Sequence, residues 1–142
     1  VIETVDAIIA GKVKPIPQSE MLTAGENPTP APKIFKDTCR IDWNWCAENV
    51  YNHVRGLSPY PAAWTEIVDA AGKVYAVKIF ETGEPEAPSA NLVPATLTTD
   101  GKRLWVACAD AKIEILSLQM AGKRRMPTAD FLRGFNIEGC HC

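Results

Sequence analysis

Five short segments with the alternating pattern of β-strands lie between residues 62 and 118, and they constrain the fold of this chain most strongly. They span residues 62–68, 73–81, 93–99, 103–109 and 113–118. In the second segment, Tyr75, Val77 and Ile79 alternate with Val74, Ala76 and Lys78, which is the period of a strand. Asp100-Gly101 separates the third and fourth segments, and Asp-Gly between alternating segments is a strong hairpin signal.

Helical periodicity flanks these strands on both sides. Residues 44–56 predict a helix with Asn44 as its N-cap and Gly56 at its end. Its apolar face consists of Ala47, Val50, Tyr51 and Val54. Residues 126–135 predict a closing helix with Thr128 as its cap. Its inward face consists of Phe131, Leu132 and Phe135.

The number of strands decides between two architectures. A sheet of five short strands leaves exposed edges unless it closes on itself. We therefore predict a mostly β fold, a small five-stranded barrel of the oligonucleotide/oligosaccharide-binding (OB) type, with one preceding and one closing helix. An open antiparallel sheet backed by helices is the alternative.

The first residues of the chain predict a separate element. Ile2, Val5, Ile8 and Ile9 share a helical face, and Gly11 suits the left-handed end of a helix. Five prolines follow between residues 15 and 32, which is the composition of a linker. We expect residues 1–14 to end a missing upstream domain, residues 15–36 to be the linker, residues 37–137 the barrel and residues 138–142 a tail. A short helix that folds back on the barrel is the alternative.

Composition excludes several classes of protein. No segment approaches the ~18 apolar residues of a membrane-spanning helix, and no secretory leader opens the chain, so we expect a cytoplasmic protein. Four Trp, three Tyr and four Phe provide core anchors that disordered chains lack. The formal net charge of −2 argues against nucleic-acid binding through bulk charge, but not against a local patch.

Candidates for catalysis and metal binding are few. His53 and His141 are the only histidines, and His53 is expected to be a solvated helix residue. The five cysteines are expected to be reduced, with Cys108 as a small core residue. Cys140, His141 and Cys142 resemble a metal tag, but a structural zinc site needs about four convergent ligands. We therefore expect no catalytic residue and no metal site.

A basic cluster gives the strongest functional signal. Lys123, Arg124 and Arg125 follow Gly122 directly after the last predicted strand, and we expect all three to project into solvent. Residues 117–135 carry four basic residues and one acidic residue, a local charge of +3. Such a patch suits salt-dependent contacts to the phosphates of a polynucleotide, although a solvated loop that only aids solubility is the alternative. Trp105, beside Lys102 and Arg103, is a second candidate as a stacking platform.

Four motifs, taken together, carry a family resemblance. They are residues 31–36 (Ala-Pro-Lys-Ile-Phe-Lys), 40–43 (Arg-Ile-Asp-Trp), 54–64 (Val-Arg-Gly-Leu-Ser-Pro-Tyr-Pro-Ala-Ala-Trp) and 118–126 (Leu-Gln-Met-Ala-Gly-Lys-Arg-Arg-Met). In this order the motifs resemble the C-terminal domain of the methionyl-tRNA formyltransferases, from the linker to about Phe135. The tail of residues 139–142 and the acidic loop of residues 84–89 depart from that pattern.

The resemblance implies an enzyme of translation initiation that transfers a formyl group from 10-formyltetrahydrofolate to the methionine amine of initiator Met-tRNA. It places the catalytic Asn, His and Asp in an N-terminal domain outside residues 1–142, so the chain alone is expected to be inactive, without a bound cofactor and monomeric. It also implies RNA contacts by Lys123 on a basic loop, which Arg124 and Arg125 extend, and by the linker lysines Lys33 and Lys36. The alternatives are another folate-dependent formyltransferase and a free-standing barrel that binds nucleic acid or protein.

Overall fold

A computed structural model describes residues 1–22 and 27–142, and it divides the chain into two units, Val1–Lys33 and Ile34–Cys142. In the first unit, helix α1 (Ile2–Ile9) has exposed or half-buried residues throughout. It is followed by Gly11 at φ +64°, as the sequence predicts. Residues 23–26 of the predicted linker lie outside the described residues. None of the helices in the described ranges has the length and apolar character needed to cross a bilayer.

The second unit contains a curled antiparallel sheet of six strands, preceded by one helix and closed by another. The strands are β1 (Ala63–Val68), β2 (Val74–Thr82), β3 (Leu97–Thr99), β4 (Leu104–Ala107), β5 (Lys112–Met120) and β6 (Met126–Pro127). The helices are α2 (Ala47–Leu57) and α3 (Thr128–Gly134). The strand order is β1-β2-β5-β4-β3, and the two-residue strand β6 pairs with β5. The mostly β, barrel-like prediction and its five strands are confirmed, whereas β6 was not predicted.

Two irregularities shape this sheet. The pairing of β2 with β5 changes register on either side of Glu81, as at a β-bulge, which increases local twist. Before β3, Asn91 and Ala95 have φ of +64° and +68°, so the backbone leaves the extended conformation and β3 begins only at Leu97. The predicted strand over residues 93–99 is therefore too long at its start.

The last residues of the chain connect the two ends of the strand order. His141 forms isolated bridges with Val68 at the end of β1 and with Thr96 just before β3. The Val68 N–H donates to the His141 carbonyl at 2.8 Å, and the His141 N–H donates back at 3.0 Å. Gly139 has φ +72°, and a Cβ there would approach the Ala70 Cβ to 3.1 Å, so glycine suits this approach.

The core of the second unit lies between the sheet and α2. Val50 and Val54 of α2 are buried in one apolar cluster with Ile79, Leu104 and Leu118 from the strands. Within this core the Trp43 Nε1–H donates to the Thr65 hydroxyl at 3.0 Å. The partner satisfies the indole N–H and fixes the segment before α2 against β1.

Two predicted helix caps and one predicted helix end are wrong. Asn44 hydrogen-bonds Asp42, and the first N–H of α2, on Ala47, instead donates to the Asp110 carboxylate at 2.8 Å. The Thr128 hydroxyl donates to the Ile115 carbonyl rather than capping α3. Helix α2 continues through Gly56 to Leu57, because Leu57 is buried and adds to its apolar face.

Candidate nucleic-acid interface

The basic loop follows β5 as a tight turn. Gly122 has φ +74°, the Lys123 N–H donates to the Met120 carbonyl at 3.0 Å, and the Gln119 side chain donates to the Lys123 carbonyl at 2.7 Å. These bonds fix the backbone of the turn. The side chains of Lys123 and Arg124 are exposed, and neither forms an ion pair within residues 1–22 and 27–142. Both cations are therefore available to an anionic partner.

Arg125 is in a different position from its two neighbours. Its Nε–H donates to the Ser117 hydroxyl at 2.7 Å, and its guanidinium lies 3.5 Å from the Glu81 carboxylate. It also covers the Phe80 ring, with 4.7 Å from Cζ to the ring centroid. Arg125 is exposed like its two neighbours, as the sequence predicts, but the curl of the sheet brings Glu81 and Ser117 to it, so its charge is partly paired.

The two linker lysines lie in different units. Lys33 is the last residue of the first unit, and Lys36 lies near the start of the second. The Lys36 carbonyl accepts a 2.8 Å bond from the Trp64 Nε1–H, and its Nζ lies 5.3 Å from the centroid of the Trp64 ring. Lys36 is thereby held against the outer face of β1.

A groove of about 670 Å³ joins Lys36 to the basic loop. Its floor is a row of paired residues across three strands: Trp64 on β1 lies beside Lys78 on β2, which lies beside Gln119 on β5. Residues 34–36 and 60–62 form one side, and Ala121 and Gly122 form the opposite end. We call this surface the Trp64 groove. It places an aromatic and cationic surface next to the exposed Lys123.

The Trp105 hairpin is not an open stacking platform. The guanidinium of Arg103 lies over the Trp105 ring, with Cζ 4.7 Å from the centroid, and it also pairs with Asp100 at 3.1 Å. The backbone N–H groups of Arg103 and Lys102 donate to the Asp100 carboxylate and lower its pKa to about 2. Asp100 therefore stays ionised at neutral pH and holds Arg103 on the ring.

The histidines and cysteines are distributed through the second unit. His53 packs edge-on against Trp45, and its Nε2 is buried without a hydrogen-bond partner, so the expectation of a solvated histidine is wrong. Cys108 is a fully buried core residue, as predicted. Burial raises the pKa of the Cys108 and Cys142 thiols to about 12, so both are protonated at neutral pH. The described residues contain no group of three or more His, Cys, Asp or Glu that could hold a metal ion.

Sequence reasoning missed the Trp64 groove as a site. Its floor combines residues 14 and 41 positions apart in the pairs Trp64–Lys78 and Lys78–Gln119, which only the strand register brings together. One signal was available at Tyr60, an aromatic residue between Pro59 and Pro61. Prolines fix the backbone on both sides of this residue and are tolerated in turns, where side chains often reach the surface.

Comparison with known families gives one match that covers most of the chain. Residues 33–136 match the family described as "Formyl transferase, C-terminal domain". Among curated proteins, the chain is 56% identical over 138 residues to a methionyl-tRNA formyltransferase of Bacteroides fragilis, covering 96% of this chain and 42% of that protein. A methionyl-tRNA formyltransferase of Bacteroides thetaiotaomicron is 51% identical with the same coverage. The chain thus spans about two fifths of the length of these relatives.

Solved structures with a similar fold include HypX from Aquifex aeolicus. One variant of that protein superimposes with a TM-score of 0.60 at 20% identity, over 97% of this chain and 23% of HypX. Another HypX structure, in complex with tetrahydrofolic acid, gives a TM-score of 0.58 at 19% identity over 92% of this chain and 22% of that one. At this identity the likeness supports the fold.

Proposed function

Because the chain belongs to the formyl transferase C-terminal domain family, we propose that it is the tRNA-binding part of a methionyl-tRNA formyltransferase. The curated relatives at 56% and 51% identity favour this activity over other folate-dependent formyltransferases. Since the chain spans 42% of their length, the reaction and substrates of the whole enzyme are part of the proposal.

The proposed reaction is formylation of the methionine carried by initiator tRNA. The α-amine of the methionine attacks the formyl carbon of 10-formyltetrahydrofolate, the bond from that carbon to the folate nitrogen breaks, and the leaving nitrogen takes up the proton that the amine loses. We assign this chemistry to a catalytic domain that precedes the chain in the enzyme, with the enzyme acting in the cytoplasm. Within that proposal, residues 1–14 end the catalytic domain and residues 15–36 connect it to the monomeric C-terminal domain.

The observation that carries the RNA-binding role is the position of the exposed cations. Lys123 and Arg124 extend from a hydrogen-bonded turn at one end of the Trp64 groove, and Lys36 lies at the other side of the same groove. Exposed cations on a rigid turn can contact phosphates without losing an existing ion pair. Arg125 would have to share its charge with Glu81, so we assign it a smaller contribution. Lys33 completes the proposed set of RNA contacts.

The salt dependence of tRNA binding tests this proposal. Replacing Lys123 and Arg124 together with Ala should reduce the slope of log affinity against log salt by roughly one for each lost phosphate contact. Adding Arg125→Ala should change the slope by less than one further unit, because Glu81 already neutralises part of that charge. The affinity is measured by fluorescence anisotropy over a series of salt concentrations.

The matched control is Lys102→Ala, which removes one exposed cation from the β3–β4 hairpin. It should leave the slope unchanged. Unchanged slopes in the loop variants would move the RNA site away from the basic loop and contradict the proposed role. A loss confined to initiator tRNA would contradict a role limited to phosphate contacts, because such contacts carry little base information.

A further inference from the structure

We propose that the Trp64 groove binds one unpaired nucleotide of an RNA, with its base against Tyr60 and its phosphate between the surrounding lysines. The inference rests on the proposed function and adds to it the structural class of RNA segment that is recognised. The groove volume of about 670 Å³ falls within the roughly 300–1,000 Å³ of small-molecule sites.

Tyr60 supplies a stacking surface that is already exposed. Its side chain is 87% exposed, and among the described residues none hydrogen-bonds its hydroxyl or packs a ring against its own. Pro59 and Pro61 restrict the backbone on both sides, so the backbone of Tyr60 loses little conformational freedom when a base stacks on the ring. Stacking on an aromatic side chain suits any base, since every base has a π-face.

Trp64 gives the groove a rigid floor. Its indole N–H donates to the Lys36 carbonyl at 2.8 Å, and both the Lys36 Nζ and the Arg40 guanidinium lie over its ring at 5.3 and 5.4 Å. The ring is therefore occupied by cations rather than open to a base. Trp64 acts as a support that holds positive charge at the floor of the groove.

The charges around the groove select an anionic ligand. Lys36, Arg40, Lys78 and Lys123 lie along it or beside it, and Glu66 is the one carboxylate that lines it. Glu66 is paired with Arg40 at 2.8 Å, so no carboxylate of the described lining is left to neutralise Lys36 or Lys78. The Lys78 ammonium lies 3.3 Å from the Pro61 carbonyl, directly after Tyr60. A phosphate bound at Lys78 would thus lie next to a base stacked on Tyr60.

This combination favours single-stranded over double-stranded RNA. A base within a duplex is stacked on both faces and cannot present a face to Tyr60, whereas an unpaired base can. The duplex phosphates would still contact the basic loop. Single-stranded and duplex RNA should therefore respond alike to loss of the loop cations and differently to loss of Tyr60.

The test compares the binding of a short unstructured oligoribonucleotide and a blunt-ended RNA duplex to the 142-residue chain. Tyr60→Ala should weaken single-strand binding by about 5- to 100-fold and change duplex binding by less than about twofold. Tyr60→Phe, which keeps the ring, should retain most of the affinity. The salt slope should be unchanged in both variants, because neither alters charge. Val93→Ala removes exposed apolar surface outside the groove and serves as the control.

The outcomes separate this inference from the proposed function. Equal weakening of both RNAs by Tyr60→Ala, or no weakening of either, would overturn the groove while leaving the loop in place. An unchanged salt slope in the loop variants, with a selective Tyr60 effect, would overturn the loop and support the groove. A wild-type chain that binds neither RNA would overturn both. Circular dichroism of each variant establishes that the fold is intact.

Discussion

At the scale of single residues, His53 offers a direct test of what a buried nitrogen without a hydrogen-bond partner costs in stability. Its Nε2 is buried without a hydrogen-bond partner among the described residues, and its ring lies 5.2 Å from that of Trp45 at 81°. An unsatisfied buried polar atom costs about 1–3 kcal/mol, and an apolar group of similar shape removes that cost. We expect His53→Phe to raise the free energy of unfolding by up to about 1 kcal/mol, measured by urea denaturation.

The control for this prediction is His53→Ala, which removes the nitrogen but also the edge contact with Trp45. It should lower stability, because the ring volume is lost from a packed site. A loss of stability in His53→Phe would mean that the nitrogen is hydrogen-bonded in solution. The pair of variants thus separates the polar atom from the ring that carries it.

The individual residues also show why sequence reasoning identified exposed cations better than their partners. Lys123 and Arg124 follow a glycine turn, and their exposure is a local property of that turn. Arg125 is adjacent to them, but its partner Glu81 is 44 positions earlier and reaches it only through the pairing of β2 with β5. Exposure in a turn depends on local sequence, whereas an ion pair across a sheet depends on register.

At the scale of elements, the start of α2 depends on a side chain that lies 63 positions later in the chain. The Asp110 carboxylate accepts the Ala47 N–H at 2.8 Å and places negative charge at the helix N-terminus. Asp110→Ala should lower the free energy of unfolding by about 0.5–2 kcal/mol, as for loss of an N-cap, and Asp110→Asn should cost less because it keeps an acceptor. Thermal or urea unfolding measures both.

Asn44→Ala is the matched control, since Asn44 is the cap that the sequence predicts. Its side chain bonds Asp42 outside the helix, so its loss should cost less than the loss of Asp110. The opposite ranking would show that α2 begins with a local cap in solution and would contradict the structure at this position.

The elements themselves were predictable where periodicity was long and were missed where it was not. The segments that became β2 and β5 each extend over nine residues, and their alternation is clear in the sequence. β3 was predicted too long because a positive φ at Ala95, a residue without turn preference, interrupts the alternation. β6 has two residues and carries no periodicity, so pairing with β5 alone defines it. The cap of α2 was missed because Asp110 lies 63 positions from Ala47.

At the scale of the whole second unit, the sequence indicated that the edge strands of a five-stranded sheet must be paired or covered. It did not indicate which residues do this. The strand order ends at β1 and β3, and His141 pairs with residues at both ends. Residues 139–142 had no assigned role in the sequence, because a Gly-Cys-His-Cys segment has neither strand nor helix periodicity. The tertiary pairing of one residue, rather than a pattern, accounts for the position of this segment.

This closure is a property of the His141 backbone, and a pair of variants can separate it from the side chain. His141→Pro removes the N–H that donates to the Val68 carbonyl at 3.0 Å, while His141→Ala retains it and removes only an exposed imidazole. We expect His141→Pro to lower the free energy of unfolding by about 1–3 kcal/mol, because a backbone acceptor loses its partner and the strand-like pair is broken. His141→Ala should change it by less than about 0.5 kcal/mol, as for an ordinary surface substitution. Urea unfolding measures both variants.

Hydrogen exchange at the Val68 N–H, which donates to the His141 carbonyl at 2.8 Å, should accelerate in His141→Pro alone. Equal effects of the two variants would assign the contribution to the imidazole and leave the ends of the sheet unconnected through the backbone.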